Sequence, residues 1–201
     1  PILAYTFDSL PSEVDEVIIV VGYLGQQIKD YFGEEYHGRK VTYVQQAELL
    51  GTGQAVSLCK DLIKGKFLVL MGDDIFAPDD LRRALEFDRC VFAKSVFADQ
   101  KRNYGLFDID SSDHLLGIVE TELEPGQAGL VYTGLTLLDE HFFDYDLVPI
   151  KGGKEFGLPQ TIVTMAKEYP VKVLTTTVWL PVGYPEDLPK AEVFMKQLGM
   201  V

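Results

Sequence analysis

Cysteine and histidine are scarce, basic charge is outnumbered, and no long apolar run is present. Each shortage closes off a class of function. The two cysteines, Cys59 and Cys90, both stand in apolar surroundings. Buried, reduced thiols are expected there, in preference to a disulfide or a metal site. The three histidines, His37, His114 and His141, lie far apart without ligand spacing, which speaks against zinc. Neither Ser9 nor Ser57 belongs to a Gly-x-Ser-x-Gly turn, so a serine nucleophile is unsupported. Only 18 Lys and Arg stand against 31 Asp and Glu, giving a net charge of −13. Nucleic-acid binding draws its affinity from clustered cations, so this balance argues against it. No apolar run approaches the ~18 residues of a membrane span, and no basic-then-apolar leader is read. A cytoplasmic protein with no membrane attachment is the expectation.

What is present suits a folded globule. Hydrophobic residues make up 47% of 201 positions, enough for one α/β domain with a substantial core over residues 1–201. Strand-like apolar runs alternate with amphipathic stretches. Glu16–Gly22 reads as a buried strand, Leu24–Phe32 as a helix ending at Gly33, and Val41–Val44 as a short strand. Gln54–Ile63 has helical spacing, Phe67–Met71 is a buried strand, and Pro78–Phe87 opens like a helix, with Pro and acids in its first turn. Such alternation predicts a largely parallel sheet covered on both faces. In the second half, strands at Cys90–Ala98, Gly105–Asp108, Leu115–Glu120 and Leu130–Leu138 predict mixed or antiparallel pairing. A helix at Gln160–Glu168, a strand at Val171–Trp179 and a helix near Pro185–Leu198 follow. The segment Lys151-Gly152-Gly153-Lys154 reads as a loop, and the aromatic group Phe142-Phe143-Asp144-Tyr145 as core or interface.

Two stretches carry the chemistry. The first runs Gln46-Ala47-Glu48-Leu49-Leu50-Gly51-Thr52-Gly53-Gln54-Ala55, a Gly-rich turn opening a helix. Glycines let backbone approach a ligand, and the helix after them turns its positive end toward it. Gln46 offers an amide suited to reading a base edge. The second is Met71-Gly72-Asp73-Asp74-Ile75, carboxylates at the carboxyl end of a buried strand. Asp73 is the expected Mg²⁺ ligand, since that ion takes one or two carboxylates plus phosphate oxygens. Asp74 reads better as a cap of the following turn or helix.

Together these residues resemble the sugar-1-phosphate nucleotidyltransferases, also called nucleoside-diphosphate-sugar pyrophosphorylases, through nearly all of the chain. The Gln46-to-Gly51-Thr52 spacing, Gly72-Asp73, Tyr104-Gly105, Glu120, Tyr132-Thr133-Gly134 and the segment Trp179 to Leu188 carry the resemblance. It implies a Rossmann-like three-layer α/β/α (GT-A-like) domain with a mixed, mostly parallel central sheet. It further implies an Mg²⁺-dependent enzyme making a nucleotide-sugar and pyrophosphate from a sugar 1-phosphate and a nucleoside triphosphate, UTP or dTTP favoured. By resemblance, Gln46, Gly51 and Thr52 contact the base and Gly72 and Asp73 the phosphates. Asp73 holds the metal and is the catalytic position. Gly105, Glu120, Thr133 and Gly134 line the sugar site, and Glu155 lies near it. Relatives often assemble, so a homo-oligomer is a further expectation.

Four departures accompany the resemblance. The family opens with a strand and a Gly-x-Gly-Thr-Arg phosphate loop, and this sequence is expected to begin after it, at a helix Pro1–Phe7. The family's Glu-Lys-Pro lysine falls at Thr121, its late metal-binding Asp at Pro181, and the Asn before Thr133 at Tyr132. The alternative reading is a catalytically impaired relative that binds a sugar nucleotide or serves as a regulatory or partner subunit. A glycosyltransferase of similar architecture is a second rival, only loosely suggested by Asp73-Asp74.

Overall fold

The computed structural model describes residues 1–98, 102–150 and 152–197. In chain order it forms α1 (Ile2–Ser9), β1 (Glu16–Val21), α2 (Gly25–Phe32), β2 (Glu35–Tyr36), β3 (Arg39–Gln45) and α3 (Thr52–Ser57). There follow β4 (Lys66–Val69), β5 (Asp74–Phe76), α4 (Pro78–Ala84), β6 (Cys90–Phe97), β7 (Arg102–Ile109), β8 (Leu115–Leu123) and β9 (Ala128–Asp139). The chain ends through α5 (Leu158–Met165), β10 (Lys172–Thr175), β11 (Trp179–Pro181) and α6 (Leu188–Gln197). It folds as two compact units, one of residues 1–11, 68–137 and 171–201, the other of residues 12–67 and 138–170.

In the second unit β1 and β3 pair in parallel from Glu16↔Lys40 to Val21↔Gln45, and β2 adds an antiparallel edge. The alternating run Val17–Val21 places Ile19 and Val21 in the core with Val41, Phe32 and Val56. Leu158, Ile162 and Met165 recur at helical spacing on α5 and are fully buried, so this helix packs by one apolar face. The aromatic group resolves into core and support: Phe142 is buried, and Phe143 stacks on Phe67 at 5.5 Å.

In the first unit the strand order is β10-β6-β9-β7-β8, with β4 also on β9, and β5 pairs separately with β11. β10 and β6 run parallel, while β6–β9, β9–β7, β7–β8 and β5–β11 are antiparallel. The α/β class and the mixed pairing match the sequence reading. Antiparallel pairing takes a larger share than expected, because the strands β6 to β9 follow one another without a crossover helix, and β7–β8 close as a hairpin. Phe76, Leu81, Ala84, Cys90, Phe92, Leu135 and Leu137 form the core, with Trp179 packed against it. A smaller cluster of Ile75, Val182, Ala191 and Met195 lies under Ile2 and Tyr5 of α1.

Several boundaries differ from the sequence expectation: α4 stops at Ala84, α5 runs Leu158–Met165, and β4 ends at Val69 with no residue fully buried. α3 stops at Ser57, and the remaining residues toward Ile63 continue as turns. Asp74 caps no helix; it begins β5 and is buried. The run Val171–Trp179 is two strands, broken at Thr176–Val178. The expected loop residue Lys151 and the helix end at Leu198 lie outside the described residues. Both cysteines are buried and reduced, and burial pushes the Cys59 thiol up to about 11 and Cys90 up to about 12.

Phe92 is completely buried at the centre of the larger cluster. Phe92→Ala is expected to cost about 3–5 kcal/mol of unfolding free energy through lost transfer and a cavity. Urea titration with an unchanged slope is the measurement.

Candidate active site

The turn after β4 is set by its neighbours on both sides. Asp74 N–H donates to the Met71 carbonyl at 3.4 Å, closing Met71–Asp74 into a turn, and β5 starts at once. β11 pairs with β5 in the register Pro181↔Asp74 and Trp179↔Phe76. One step further, Val182 N–H donates to the Asp73 carbonyl at 2.9 Å. Backbone bonds therefore hold Asp73 on both flanks, while its side chain is exposed.

Asp74 has the opposite environment. It is 7% exposed, and its Oδ2 accepts from Trp179 Nε1 at 2.9 Å. Burial raises its pKa to about 6, the indole bond pulls it down, and the neighbouring Asp73 charge pushes it up again. Two adjacent carboxylates thus differ, one solvated and the other sunk into the fold.

A break in the β6–β9 ladder faces this turn. The register steps from Val91↔Thr136 to Ala93↔Tyr132, so Thr133–Leu135 bulge out opposite Phe92. Gly134 sits at the bulge with φ +88°, and a Cβ there would collide with Met71 Cγ. Only glycine admits both that backbone and that approach. Thr133 is buried, and its hydroxyl donates to the Phe92 carbonyl at 2.9 Å, repairing the ladder from the side. Tyr132 bonds through its hydroxyl to Thr136 Oγ1 at 2.6 Å, and burial raises its pKa.

Gly105 lies one register step from the Leu106↔Val131 pair and directly opposite Glu120. A Cβ added at Gly105 would meet only Ile118 Cγ2, at 3.5 Å, so the space above it is open. Glu120 is exposed beside that space.

In the other unit, Gln46 N–H extends the β1–β3 ladder by donating to the Val21 carbonyl at 2.8 Å. Its Nε2 donates to the Gly51 carbonyl at 3.2 Å and to Gln54 Oε1 at 2.6 Å, so the side chain ties its own loop together. Gly51, at φ +92°, lies against Phe156, whose carbonyl would be 2.5 Å from an added Cβ. Gly53 N–H donates to the Phe156 carbonyl at 2.9 Å, and Thr52 Oγ1 accepts Leu158 N–H at 3.0 Å, at the start of α5. The Gly-rich turn is thus docked on residues 156–158, and Glu155 next to it is exposed.

The structure therefore gathers Gly72, Asp73, Thr133 and Gly134 around Met71 and Asp74, pairs Gly105 with Glu120, and groups Gln46, Gly51 and Thr52. Sequence reasoning missed the indole bond of Trp179 and the buried carboxylate of Asp80. The one signal for Trp179 was its place in a segment already picked out by resemblance. The exposed Asp73 carboxylate, with Asp74 beneath it, suits a hard divalent cation that takes the rest of its ligands from a substrate. Among the described residues no three His, Cys, Asp or Glu gather as a protein-only metal cage.

The scaffold is thus a mixed α/β fold in which an exposed carboxylate follows β4 and a glycine opens a bulge in β9. The family model for nucleotidyl transferases matches residues 1–197, and the chain belongs to that family. It is 30% identical to the bifunctional protein GlmU of Methanocaldococcus jannaschii over 97% of this chain and 47% of that protein. It is 28% identical to the UTP–glucose-1-phosphate uridylyltransferase AglF of Haloferax volcanii, over 96% of this chain and 82% of the other. A solved structure from Bacillus anthracis, provisionally assigned as a glucose-1-phosphate thymidylyltransferase and holding a sucrose, superposes with a TM-score of 0.79. It has 24% identity over 96% of this chain and 82% of that one, a likeness of fold. The chain spans about half the length of the GlmU proteins it matches. No helix among the described residues is long and apolar enough to cross a membrane.

Asp74 binds its proton more tightly folded than unfolded, so its contribution to stability is largest at low pH. That contribution falls as pH rises from about 4, the ordinary carboxylate value, to about 6. Asp74→Asn retains an acceptor for Trp179 and does not titrate. The variant should therefore gain stability relative to the parent across that window, and the difference should be flat above it, read by urea unfolding at a series of pH values.

Proposed function

We propose that this chain catalyses nucleotidyl transfer from a nucleoside triphosphate to a sugar 1-phosphate, forming a nucleotide-sugar and pyrophosphate. The observation that carries the reading is the exposed Asp73 carboxylate, pinned by backbone on both sides in the turn whose Met71 lies against the Gly134 bulge, in a chain of the nucleotidyl transferase family. A phosphate oxygen of the sugar 1-phosphate attacks the α-phosphorus in line, the bond to the bridging oxygen breaks, and pyrophosphate departs with that electron pair. The attacking oxygen is already ionised, so no protein nucleophile or strong base is needed. Bound Mg²⁺ would neutralise and align the phosphates, with Asp73 as its protein ligand and Asp74 beneath.

Other residues take supporting parts. Gln46 spends its amide N–H groups on the loop, which leaves Oε1 for a donor on the base, uracil or thymine favoured. Gly51 and Thr52 fix the backbone beside it. The open space at Gly105 has room for a sugar ring, Glu120 can accept from two neighbouring hydroxyls, and Thr133 and Gly134 offer backbone because the Thr133 side chain is turned inward. A cytoplasmic setting and self-association complete the reading.

A second reading, a catalytically impaired relative that binds a sugar nucleotide or acts as a regulatory or partner subunit, draws on two observations. Pro181 stands opposite Asp74 where the resembling family has a metal-binding Asp, and Thr121 takes the place of a lysine. Pyrophosphate release with a panel of sugar 1-phosphates and triphosphates, with and without Mg²⁺, separates the two. Mg²⁺-dependent release supports the transferase, whereas no turnover alongside micromolar nucleotide-sugar binding supports the second reading.

Asp73→Asn should abolish Mg²⁺-dependent nucleotide binding with the fold intact, and unchanged affinity by calorimetry would remove Asp73 from the site. Gln46→Ala should narrow the difference in affinity between bases by roughly 1–3 kcal/mol, the cost of an unpaired buried polar group. Competition binding with four triphosphates reads it, and an unaltered preference would clear Gln46 of that role.

A further inference from the structure

Asp80 belongs to none of the motifs in the sequence, yet its side chain is completely buried. Its Oδ2 accepts from Thr176 Oγ1 at 2.8 Å, Thr177 N–H at 2.7 Å, Thr177 Oγ1 at 2.9 Å and Val178 N–H at 3.4 Å. Its Oδ1 pairs with Arg83 Nη1 at 3.1 Å, and Arg83 Nη2 donates to the Thr175 carbonyl at 2.6 Å. One carboxylate and its arginine therefore grip the whole link between β10 and β11. A continuous strand would spend those N–H groups on a neighbour; here they turn inward, and the chain is re-aimed.

What is re-aimed is the segment that touches the candidate site. The next residue is Trp179, whose indole N–H reaches Asp74 Oδ2, and three residues on, Val182 N–H holds the Asp73 carbonyl. We propose that Asp80 is a positioning residue for the Asp73–Asp74 turn, acting through the Thr176–Val178 link and Trp179. Asp80 touches neither carboxylate. It fixes where β11 starts, which fixes the indole, which holds Asp74 down and leaves Asp73 outward. The chemical consequence rests on the function proposed above, whereas the geometric half stands without it.

Trp179 is the one tryptophan of the chain, so tryptophan fluorescence reports the surroundings of this indole. With the full chain, Asp80→Asn that retains its far-ultraviolet circular dichroism should shift Trp179 emission to longer wavelength. It should also weaken Mg²⁺-dependent UTP binding about 10- to 100-fold, the range usual for loss of a group that orients a metal ligand. A folded variant with emission and Mg²⁺-dependent affinity both unchanged overturns the proposal. Should Asp80→Asn fail to fold, Thr177→Val removes one donor to the carboxylate and is read by the same two signals, a smaller shift in both supporting the route and none overturning it. In a Trp179→Phe background, Asp80→Asn should add less than about twofold to the binding loss, and a fully additive loss overturns action through Trp179. If UTP does not bind the parent chain, the function reading fails, and Trp179 emission in Asp80→Asn still decides this inference.

Discussion

A carboxylate sunk into a protein interior must be held by a donor or give up its charge, and Asp74 is held by a single indole N–H. Much of the first unit's arrangement follows from that bond. Trp179 can reach Asp74 only if β11 lies antiparallel to β5 in the observed register. That register requires the chain to leave β10 and turn within three residues, which is why Asp80 is buried beneath Thr176–Val178. The same pairing delivers Val182 N–H to Asp73. The exposed carboxylate owes its fixed position to the buried one beside it.

The bulge in β9 serves the same end from the other side. On the bulged backbone a side chain at position 134 would run into Met71 and toward Asp74 Oδ2, 3.4 Å from that Cβ, which is why glycine stands there. Inserting extra residues costs ladder bonds, and Thr133 recovers one by bonding the Phe92 carbonyl with its hydroxyl. Two polar exceptions, a buried Asp and a buried Thr, thus stand back to back around one glycine. Bulges recur beside functional sites because they open backbone without opening the core.

The sequence was legible where one physical rule acted alone. Periodicity located most strands and helices because each buries a single face, as α5 does through Leu158, Ile162 and Met165. It failed at Val171–Trp179, where an apolar, β-branched run looks like one strand and a carboxylate 96 to 98 residues upstream cuts it in two. It failed at Asp74, because capping is a local rule and the indole partner is 105 residues away. The Gln46–Gly51 spacing was visible, but its structural work was not: Gln46 ties the loop and Gly51 clears Phe156, contacts no local pattern encodes. Candidate residues could be picked from motifs, whereas the groups that hold them could not.

Charge sharpens what the site has to supply. A net −13 repels polyphosphates at long range, but at physiological salt a field from distant exposed carboxylates is screened within about 8 Å. What remains is local, and beside Asp74 this chain carries Pro181 where the resembling family carries an acid. Pro181 gives up a carboxylate and a backbone N–H but keeps a rigid φ, and the bond to the Asp73 carbonyl comes from the next residue, Val182. The geometry of the turn therefore survives the change, and the electrostatics do not.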